Sequence, residues 1–352
     1  MLQIASSLYD WGGIERYVHF LANGLRARGH AVDIARPAES PLAARHLGYD
    51  ISLARKFDLT ALGKYLKLFG AHRYDVVHAH FSPDFTVPAI AAKLRRQPVR
   101  VMTRHVALPW SRRKASIYHR LWPHIIPVSN AVQRHLVAAG IPESSMIVAK
   151  AGCPSMEPNQ TRQSTRHELG IGEREFAVGS FSRLKKEKGI DVFLRARPRA
   201  SGVHGYIYGE GEHGEELARL SSFLRVASQV SFIGRVEDVS NHMHAMDAVV
   251  IPSVWEEAFP YAALEALSVG TLVIASNVGG LPEIVTEGET GMLFAKGNPE
   301  DLARALLEAR ESGERRRELA ERGRELHRAE YTVERMTDRI EAAYAAFASR
   351  KS

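Results

Sequence analysis

The sequence has almost no cysteine and no long apolar run, and each absence excludes a class of protein. The single cysteine, Cys153, rules out a disulfide within the chain and a cysteine-based metal cluster. It fits a reducing compartment, and we predict a cytoplasmic protein. No apolar run approaches the length that spans a bilayer. Residues 1–8 are apolar but lack the basic start of a secretory signal, so we expect none.

Positive charge is concentrated in the first half of the chain. The net charge is +7; residues 1–150 carry 21 Lys and Arg against 9 Asp and Glu, whereas residues 151–352 carry 26 against 31. This asymmetry predicts two domains with different roles. The basic half favours an anionic partner, such as nucleic acid, anionic lipid or an anionic sugar. Because no nucleic-acid-binding motif is recognisable, nucleic acid is not a predicted partner.

Short apolar runs alternate with helical patterns through both halves. The runs that predict buried strands are 2–6, 31–35, 75–79, 99–103, 125–128, 177–181, 205–208, 230–233, 248–251 and 272–275. The polar stretch 153–165 is typical of a linker, and we place the domain boundary between residues 155 and 156. The alternation predicts two doubly wound parallel sheets with a ligand cleft at the carboxyl ends of their strands.

Two glutamates, Glu257 and Glu265, follow the predicted strand 248–251. Pro260 suits the first turn of a helix and Gly270 suits the residue just after it. Glu257 then lies in the loop before the helix, and Glu265 lies about 7.5 Å along the helix from Pro260. Carboxylates so placed can accept hydrogen bonds from hydroxyl groups on either side of a phosphate, as in a nucleotide sugar. The alternative is that both are ordinary acidic residues near a helix N-terminus.

Other residues at predicted strand ends point to the same chemistry. Arg183 and Lys188 follow the strand 177–181, where paired cations can bind a diphosphate, although a solvated lysine-rich loop has the same composition. Gly12 and Gly13 open the first helix and let a phosphate approach its backbone N–H groups. His105 follows the strand 99–103 and is predicted to face the cleft.

Two further motifs support different interpretations. Residues 209–214 read G-x-G-x-x-G after a strand and, with Arg235 after the next strand, indicate an alternative function as an NADP-dependent oxidoreductase. His78 and His80 fall on one face of a strand. We interpret them as core or cleft lining rather than a metal site, because no third ligand is evident nearby.

Basic and aromatic residues cluster in the first half. The candidates for contact with an anionic membrane surface are Trp110, Arg112, Arg113, Lys114 and Arg120. A second basic stretch runs from Arg55 and Lys56 to Lys67 and is interleaved with leucines. Ordinary charged helix faces and a non-catalytic binding module are the alternatives.

The ordered motifs of the chain resemble those of glycosyltransferase family 4, the retaining GT-B enzymes. The likeness covers nearly the whole length. The motifs that carry it are, in chain order, residues 12–16, 28–32, 182–184 with 188–189, 209–211, 230–234, Asp247 with 252–253, the glutamate pair and 279–283. The resemblance implies a GT-B fold: two Rossmann-like domains, 1–155 and 156–332, face a cleft, and the helix 333–352 crosses back to the first. The first domain would take the acceptor and the second the nucleotide sugar.

The resemblance also implies roles for individual residues. Glu257, Arg183, Lys188 and His105 are the implied catalytic residues. The implied donor-binding residues are Gly12, Gly13, Arg183, Lys188, Arg235, Val236, Glu257, Ala258, Phe259, Pro260, Tyr261 and Glu265. Arg183 and Lys188 would hold the diphosphate, Glu257 the sugar and Glu265 the ribose. No Asp-x-Asp occurs, so we predict a transferase that needs neither a metal nor another cofactor.

These observations together predict a retaining hexosyltransferase of cell-envelope synthesis. We expect a UDP-sugar donor and a saccharide or lipid-linked saccharide acceptor, such as that of lipopolysaccharide. The basic first half predicts peripheral contact with the inner face of the cell membrane. A nucleotide-sugar epimerase on the same fold is the remaining alternative.

Overall fold

The computed structural model describes residues 1–6, 11–53 and 57–350. The chain divides into two compact units. Unit 1 contains residues 1–153 and 332–352, and unit 2 contains residues 154–331. The last helix is therefore grouped with the first part of the chain.

Unit 1 is built around a six-stranded, all-parallel sheet with the order β3-β2-β1-β4-β5-β6. Its strands are β1 (Leu2–Ile4), β2 (Asp33–Arg36), β3 (Tyr49–Asp50), β4 (Val76–Ala79), β5 (Val99–Arg104) and β6 (His124–Pro127). Its helices are α1 (Gly13–Ala27), α2 (Leu59–Ala71), α3 (Val87–Leu94), α4 (Arg112–Leu121), α5 (Asn130–Ala138) and, from the end of the chain, α13 (Val333–Ser349).

Unit 2 has a second six-stranded parallel sheet, with the order β12-β11-β10-β7-β8-β9. Its strands are β7 (Phe176–Phe181), β8 (Val203–Tyr208), β9 (Val230–Gly234), β10 (Ala248–Ile251), β11 (Leu272–Ser276) and β12 (Met292–Phe294). Its helices are α6 (Arg162–Glu168), α7 (Ile190–Ala196), α8 (Gly214–Phe223), α9 (Val239–Ala245), α10 (Tyr261–Ser268), α11 (Pro299–Glu311) and α12 (Gly313–Glu330).

Apolar runs form the central strands because helices cover both faces of each sheet. In unit 1 the apolar faces of α1 and α13 pack together, and Leu21 and Ile340 are fully buried. Side-chain caps fix several helix starts: the Ser129 hydroxyl accepts a hydrogen bond from the N–H of Val132 at the start of α5. Among the described residues, no helix combines the length and the apolar content needed to cross a membrane.

The α/β prediction with two doubly wound parallel sheets is confirmed, and the predicted strands agree with the observed ones to within about two residues at each end. Two short edge strands, β3 and β12, were not predicted. Pro260 is the N-cap of α10 rather than its first helical residue, with an extended backbone (φ −73°, ψ 129°). Gly270 follows the helix with φ +73°, the left-handed conformation expected of a residue just past a helix end.

Candidate active site

The strand order of unit 2 creates a topological switch point between β7 and β10. From β7 the chain moves outward through β8 to β9, and it then returns to the other side of β7 as β10. The loops that follow β7 and β10 therefore leave the same edge of the sheet in opposite directions. Open α/β sheets bind ligands in the crevice that such a divergence leaves.

Lys188 and Glu257 meet at this switch point. Lys188 lies in the loop after β7, and its Nζ donates to Oε1 of Glu257, in the loop after β10, over 2.7 Å. The Ser253 hydroxyl donates to the same Oε1 over 2.6 Å. The side chains of Lys188 and Glu257 are 28% and 13% exposed, so both are held in place and still reachable from solvent. Within the described chain no donor contacts Oε2 of Glu257, which leaves that oxygen for a ligand.

Backbone contacts hold the three loops of the site at close range. The Ser276 hydroxyl, at the end of β11, donates to the carbonyl of Ser253 over 2.7 Å. The Gly280 N–H donates to the carbonyl of Glu257 over 2.7 Å. Gly279 has φ +58°, and a Cβ there would lie 2.2 Å from the Glu257 carbonyl oxygen. Only glycine allows the loop after β11 to pass this close to the glutamate.

Glycine is equally necessary where the loops after β7 and β10 cross. Gly189 has φ +66°, and a Cβ there would lie 1.9 Å from the carbonyl oxygen of Pro252. A second bond joins the same loops, because the Val254 N–H donates to the carbonyl of Glu187 over 3.0 Å. Lys188 and Ser253, the two residues that contact the Glu257 carboxylate, are each adjacent to this crossing.

The other predicted donor-binding residues of unit 2 are distributed around the same strand ends. Arg183 follows β7 by two residues; its side chain is exposed and, among the described residues, makes no ion pair. Arg235 is exposed after β9, and Val236 is partly buried and packs against a small core cluster that includes Met246. Glu265 lies on α10 and is only 5% exposed. The roles assigned to these residues stay predictions.

The segment before α10 offers backbone rather than side-chain contacts. The Phe259 ring is buried and packs edge-on against Tyr331, with the ring centroids 5.6 Å apart. Tyr261, the first residue of α10, is also buried. Ala258 and Pro260 are partly exposed. The N–H groups at the start of α10 are therefore the groups available to an anionic or hydroxylated ligand.

In unit 1 the three predicted residues lie on two elements. Gly12 is the N-cap of α1, with an extended backbone, and Gly13 is the first helical residue. His105 directly follows β5 and is partly exposed. Its ring packs edge-on against Tyr17 at 4.6 Å between centroids, and its Nε2 lies 3.3 Å from Nδ1 of His80. His78 and His80 are buried, as the sequence predicts.

The G-x-G-x-x-G run has a structural cause that the sequence does not reveal. A Cβ at Gly209, where φ is +107°, would lie 2.0 Å from the carbonyl oxygen of Ser182, and one at Gly211 would lie 2.4 Å from that of Leu184. The Leu184 N–H in turn donates to the carbonyl of Glu210 over 2.9 Å. These glycines let the loop after β8 pack on the loop after β7. They are therefore accounted for without a dinucleotide, which removes the main basis of the oxidoreductase alternative.

The interpretation of Trp110 as a membrane-surface residue was wrong. Its side chain is 7% exposed, and its ring packs 5.1 Å from that of Tyr118 while the Arg104 guanidinium lies 4.8 Å above it. Trp122 is fully buried and donates its indole N–H to the carbonyl of Phe85 over 3.2 Å. Trp110, the aromatic member of the predicted cluster, and Trp122 both belong to the core of unit 1.

The basic members of that cluster are exposed: Arg112, Arg113, Lys114 and Arg120. Their part in membrane contact stays a prediction. In the second basic stretch, Lys64 and Lys67 are exposed, and Leu68 and Phe69 are buried. Arg55 and Lys56 lie outside the described residues.

Sequence reasoning gave no role to Ser253 or Ser276, although both determine the position of Glu257. A serine four residues before a glutamate in a loop has no periodic signal. Its contact becomes visible only when the loops after β10 and β11 are seen together.

Two family models match the chain. Residues 11–152 match the model described as Glycosyltransferase Family 4, and residues 161–326 match the model described as Glycosyl transferases group 1. The two matches fall in unit 1 and unit 2, and together they cover most of the chain.

Individual proteins show the same similarity. The chain is 27% identical to a D-inositol 3-phosphate glycosyltransferase of Geodermatophilus obscurus, over 96% of this chain and 86% of that one. It is 30% identical to a lipopolysaccharide core biosynthesis glycosyltransferase of Rhizobium meliloti, over 46% of this chain and 47% of that one. Among solved structures, HepE of Anabaena in complex with UDP superposes with a TM-score of 0.88 at 23% identity, covering 98% of this chain and 99% of that one. This similarity identifies the fold as GT-B.

Proposed function

The chain belongs to glycosyltransferase family 4, and from this premise we propose that it transfers a hexose from a UDP-sugar, with retention of configuration, to a saccharide or lipid-linked saccharide of the cell envelope. The choice of UDP is supported by HepE, which was solved with that nucleotide. An envelope acceptor is supported by the Rhizobium relative and by the basic first half of the chain.

The contact between Lys188 and Glu257 is the observation that carries this proposal. It puts an ammonium group and an oriented carboxylate side by side at the switch point of unit 2. Lys188, with Arg183, would bind the diphosphate, and each charge-assisted hydrogen bond contributes about 1.5–3 kcal/mol. Oε2 of Glu257 would accept a hydrogen bond from a sugar hydroxyl, because Oε1 already accepts hydrogen bonds from Lys188 and Ser253.

The chemistry needs no carboxylate nucleophile. The acceptor hydroxyl would attack on the face that the nucleotide leaves, and the departing phosphate would take its proton. Lys188 and Arg183 would stabilise the negative charge that develops on that phosphate. We therefore propose that transfer needs no metal, and activity that is unchanged after EDTA treatment and dialysis would support this. Loss of activity that Mg²⁺ restores would refute it.

The carboxylate is tested with two adjacent glutamates. Glu257→Ala should abolish transfer from UDP-sugars and leave the thermal midpoint of unit 2 within a few degrees of wild type. Glu256→Ala is the matched control, because Glu256 is half-exposed and has only a loose contact with Lys296, at 3.9 Å. Turnover by Glu257→Ala within a few fold of wild type would remove the proposed role.

The nucleotide is tested by titration of the purified protein. UDP at 100 times its dissociation constant should stabilise the protein by about 2.7 kcal/mol. NADPH at the same concentration should give no shift in the unfolding temperature. Incubation with a UDP-sugar alone, followed by sugar analysis, separates transfer from epimerisation, because an epimerase changes the sugar when no acceptor is present.

A further inference from the structure

A large cavity of unit 2 lies at the amino-terminal edge of its sheet, and we call it the amino-edge cavity. Its volume is about 1190 Å³, and its lining includes Phe176 at the start of β7 and Leu272 at the start of β11. Asp247, the residue before β10, also lines it. Sites for small molecules commonly have volumes of about 300–1,000 Å³. Lys188 and Glu257 follow the carboxyl ends of β7 and β10, so the cavity is separate from the candidate donor site around them.

Positive charge dominates the lining of the amino-edge cavity. Its acidic residues are Glu173, Glu175 and Asp247, whereas six arginines come from α6, the loop before β7, α11 and α12. These arginines are Arg162, Arg166, Arg174, Arg310, Arg316 and Arg317. Residues 151–352 carry 26 Lys and Arg against 31 Asp and Glu. The cavity is therefore basic within a part of the chain that is acidic overall.

Three of the arginines share a single carboxylate, that of Asp247. The guanidinium groups of Arg162 and Arg316 lie 2.9 and 3.5 Å from its Oδ1, and that of Arg166 lies 3.2 Å from its Oδ2. The backbone N–H of Ala177 also donates to Oδ2, over 2.9 Å. One negative charge cannot neutralise three positive ones, so the contact leaves an excess of positive charge beside the cavity.

The crowding of these charges is visible in the ionisation of Arg162. Burial lowers the pKa of Arg162, and Asp247 opposes that shift. The neighbouring charges of Arg166 and Arg316 lower the pKa further. A bound anion would relieve this repulsion, because it would add negative charge on the open side of the cluster.

Two of the arginines have a structural role as well. Arg162 donates to the backbone carbonyls of His244 and Met246 over 2.7 and 2.6 Å, and Arg166 donates to that of Ala245 over 3.0 Å. These bonds tie α6 to the segment that joins α9 and β10. They explain Arg162 and Arg166 without a ligand, but they leave the other four arginines unexplained.

Arg316 and Arg317 bring two further guanidinium groups together near the start of α12. Nη2 of Arg316 and Nη1 of Arg317 lie 4.0 and 3.9 Å from the point that a Cβ on Gly313 would occupy. Arg316 is held by the carbonyl of Ala309, over 3.0 Å, and Arg317 is exposed and makes no ion pair with a described residue. The helix dipole disfavours cations at this end of a helix, so helix stability does not account for the pair.

The charge and its distribution indicate the class of ligand. Arg174, in the loop before β7, is exposed and likewise unpaired within the part of the chain that the structure describes. Guanidinium groups bind phosphates and carboxylates through paired hydrogen bonds. A single carboxylate would neutralise only one of the excess charges, whereas a molecule with two or more phosphates would neutralise most of them. A recess of this volume also suits a small soluble molecule.

We propose that the amino-edge cavity binds a soluble molecule that carries two or more phosphate groups, which Arg174, Arg316 and Arg317 contact. Arg162 and Arg166 form the fixed base of this site through their bonds to Asp247 and the backbone. The proposal does not rest on the proposed glycosyltransferase function, because the cavity and the candidate donor site lie at opposite edges of the sheet.

Titration calorimetry with pyrophosphate tests the site on the full chain, with excess UDP present to occupy the candidate donor site. Wild type should bind pyrophosphate and should not bind acetate. The double variant Arg174→Gln with Arg317→Gln should raise the pyrophosphate Kd about 4- to 25-fold, from about two- to fivefold for each exposed ion pair. Because both side chains are exposed, its melting temperature should equal that of wild type. Absence of pyrophosphate binding by wild type, or equal affinity in the double variant, would overturn the proposal.

Two control variants separate this site from the rest of the surface. Arg328→Gln removes another arginine of α12 that is exposed and, among the described residues, unpaired, but that does not line the cavity. Arg183→Gln alters the candidate donor site. Both should bind pyrophosphate like wild type, and a loss in either that equals the loss in the double variant would overturn the proposal. If wild type fails to bind UDP, the proposed function is refuted, and the same variants titrated without UDP still decide the site.

Flotation with vesicles that contain phosphatidic acid tests a lipid headgroup as the source of the phosphate. The double variant and wild type should be recovered equally with these vesicles. A lower recovery of the double variant would assign the arginines to a lipid surface and overturn the choice of a soluble ligand.

Discussion

Gly189→Ala should disable the candidate donor site of unit 2 through the backbone, without touching a charged group. The new Cβ would lie 1.9 Å from the Pro252 carbonyl oxygen, whereas real Cβ contacts are essentially never closer than 3.0 Å. The loops after β7 and β10 must therefore separate by about 1 Å. Because Lys188 and Ser253 are adjacent to the crossing, this shift acts on both residues that orient Glu257.

The expected magnitude has a conformational part and a binding part. Alanine in the left-handed conformation costs about 1–2 kcal/mol, which lowers the unfolding temperature of a unit of this size by roughly 2–8 °C. Loss of one charge-assisted hydrogen bond weakens UDP binding by about 1.5–3 kcal/mol, which corresponds to roughly 10- to 150-fold in Kd.

Gly170→Ala is the matched control. Gly170 has φ +68°, almost the same as the +66° of Gly189, but a Cβ there meets nothing within 4 Å. It should show the conformational loss of stability and bind UDP like wild type. Thermal unfolding and titration calorimetry with UDP measure the two parts. If the two variants had the same stability and the same UDP affinity, the close approach of the two loops at Gly189 would not be what positions the residues of the site.

Three further outcomes are expected. Acidification should destabilise unit 1, because the folded pKa of His80 is about 3 against about 6.5 unfolded. The contribution of His80 to stability is complete above about pH 6.5 and falls toward pH 3, with a loss of about 2 kcal/mol at pH 5. A urea midpoint for unit 1 that is equal at pH 7.5 and pH 5 would contradict a buried neutral imidazole. Trp110→Ala should cost about 3–5 kcal/mol of stability and leave recovery with anionic liposomes unchanged in flotation. Unchanged stability together with lower liposome recovery would restore its membrane role. Substitution of the exposed Arg113 by Glu should lower that recovery with little change in melting temperature, if the cationic face of α4 contacts lipid.

The sequence predicts the central strands of both sheets well, because these strands are buried on both faces and appear as continuous apolar runs. Residues 248–251 are one example, and the predicted and observed bounds of β10 agree. The edge strands could not be predicted in this way. Tyr49–Asp50 has only two residues and includes an exposed aspartate, so neither length nor periodicity distinguishes it from a loop.

The site was only partly predictable, since its geometry depends on contacts between segments distant in sequence. Lys188 and Glu257 could be chosen because each follows a strand and carries a suitable charge. The glycines at 209 and 211 supported the oxidoreductase alternative, whereas the structure shows that they are required by the close approach of the Ser182 and Leu184 carbonyl groups. Trp110 was misassigned because the basic residues beside it in the sequence do not reveal that its ring packs against Tyr118 and Arg104.

The return of α13 to unit 1 makes the completion of that unit wait until the whole of unit 2 has been synthesised. Its first 153 residues leave the ribosome well before Tyr344 and Phe347, which contact His78 and stack on His124. At about 5–20 residues per second, the delay is on the order of ten seconds. During that interval the apolar face of α1 lacks its helical cover, whereas all of unit 2 is synthesised in a single uninterrupted stretch. A chain truncated after Tyr331 should therefore hold a protease-resistant unit 2 beside a unit 1 that still depends on a chaperone.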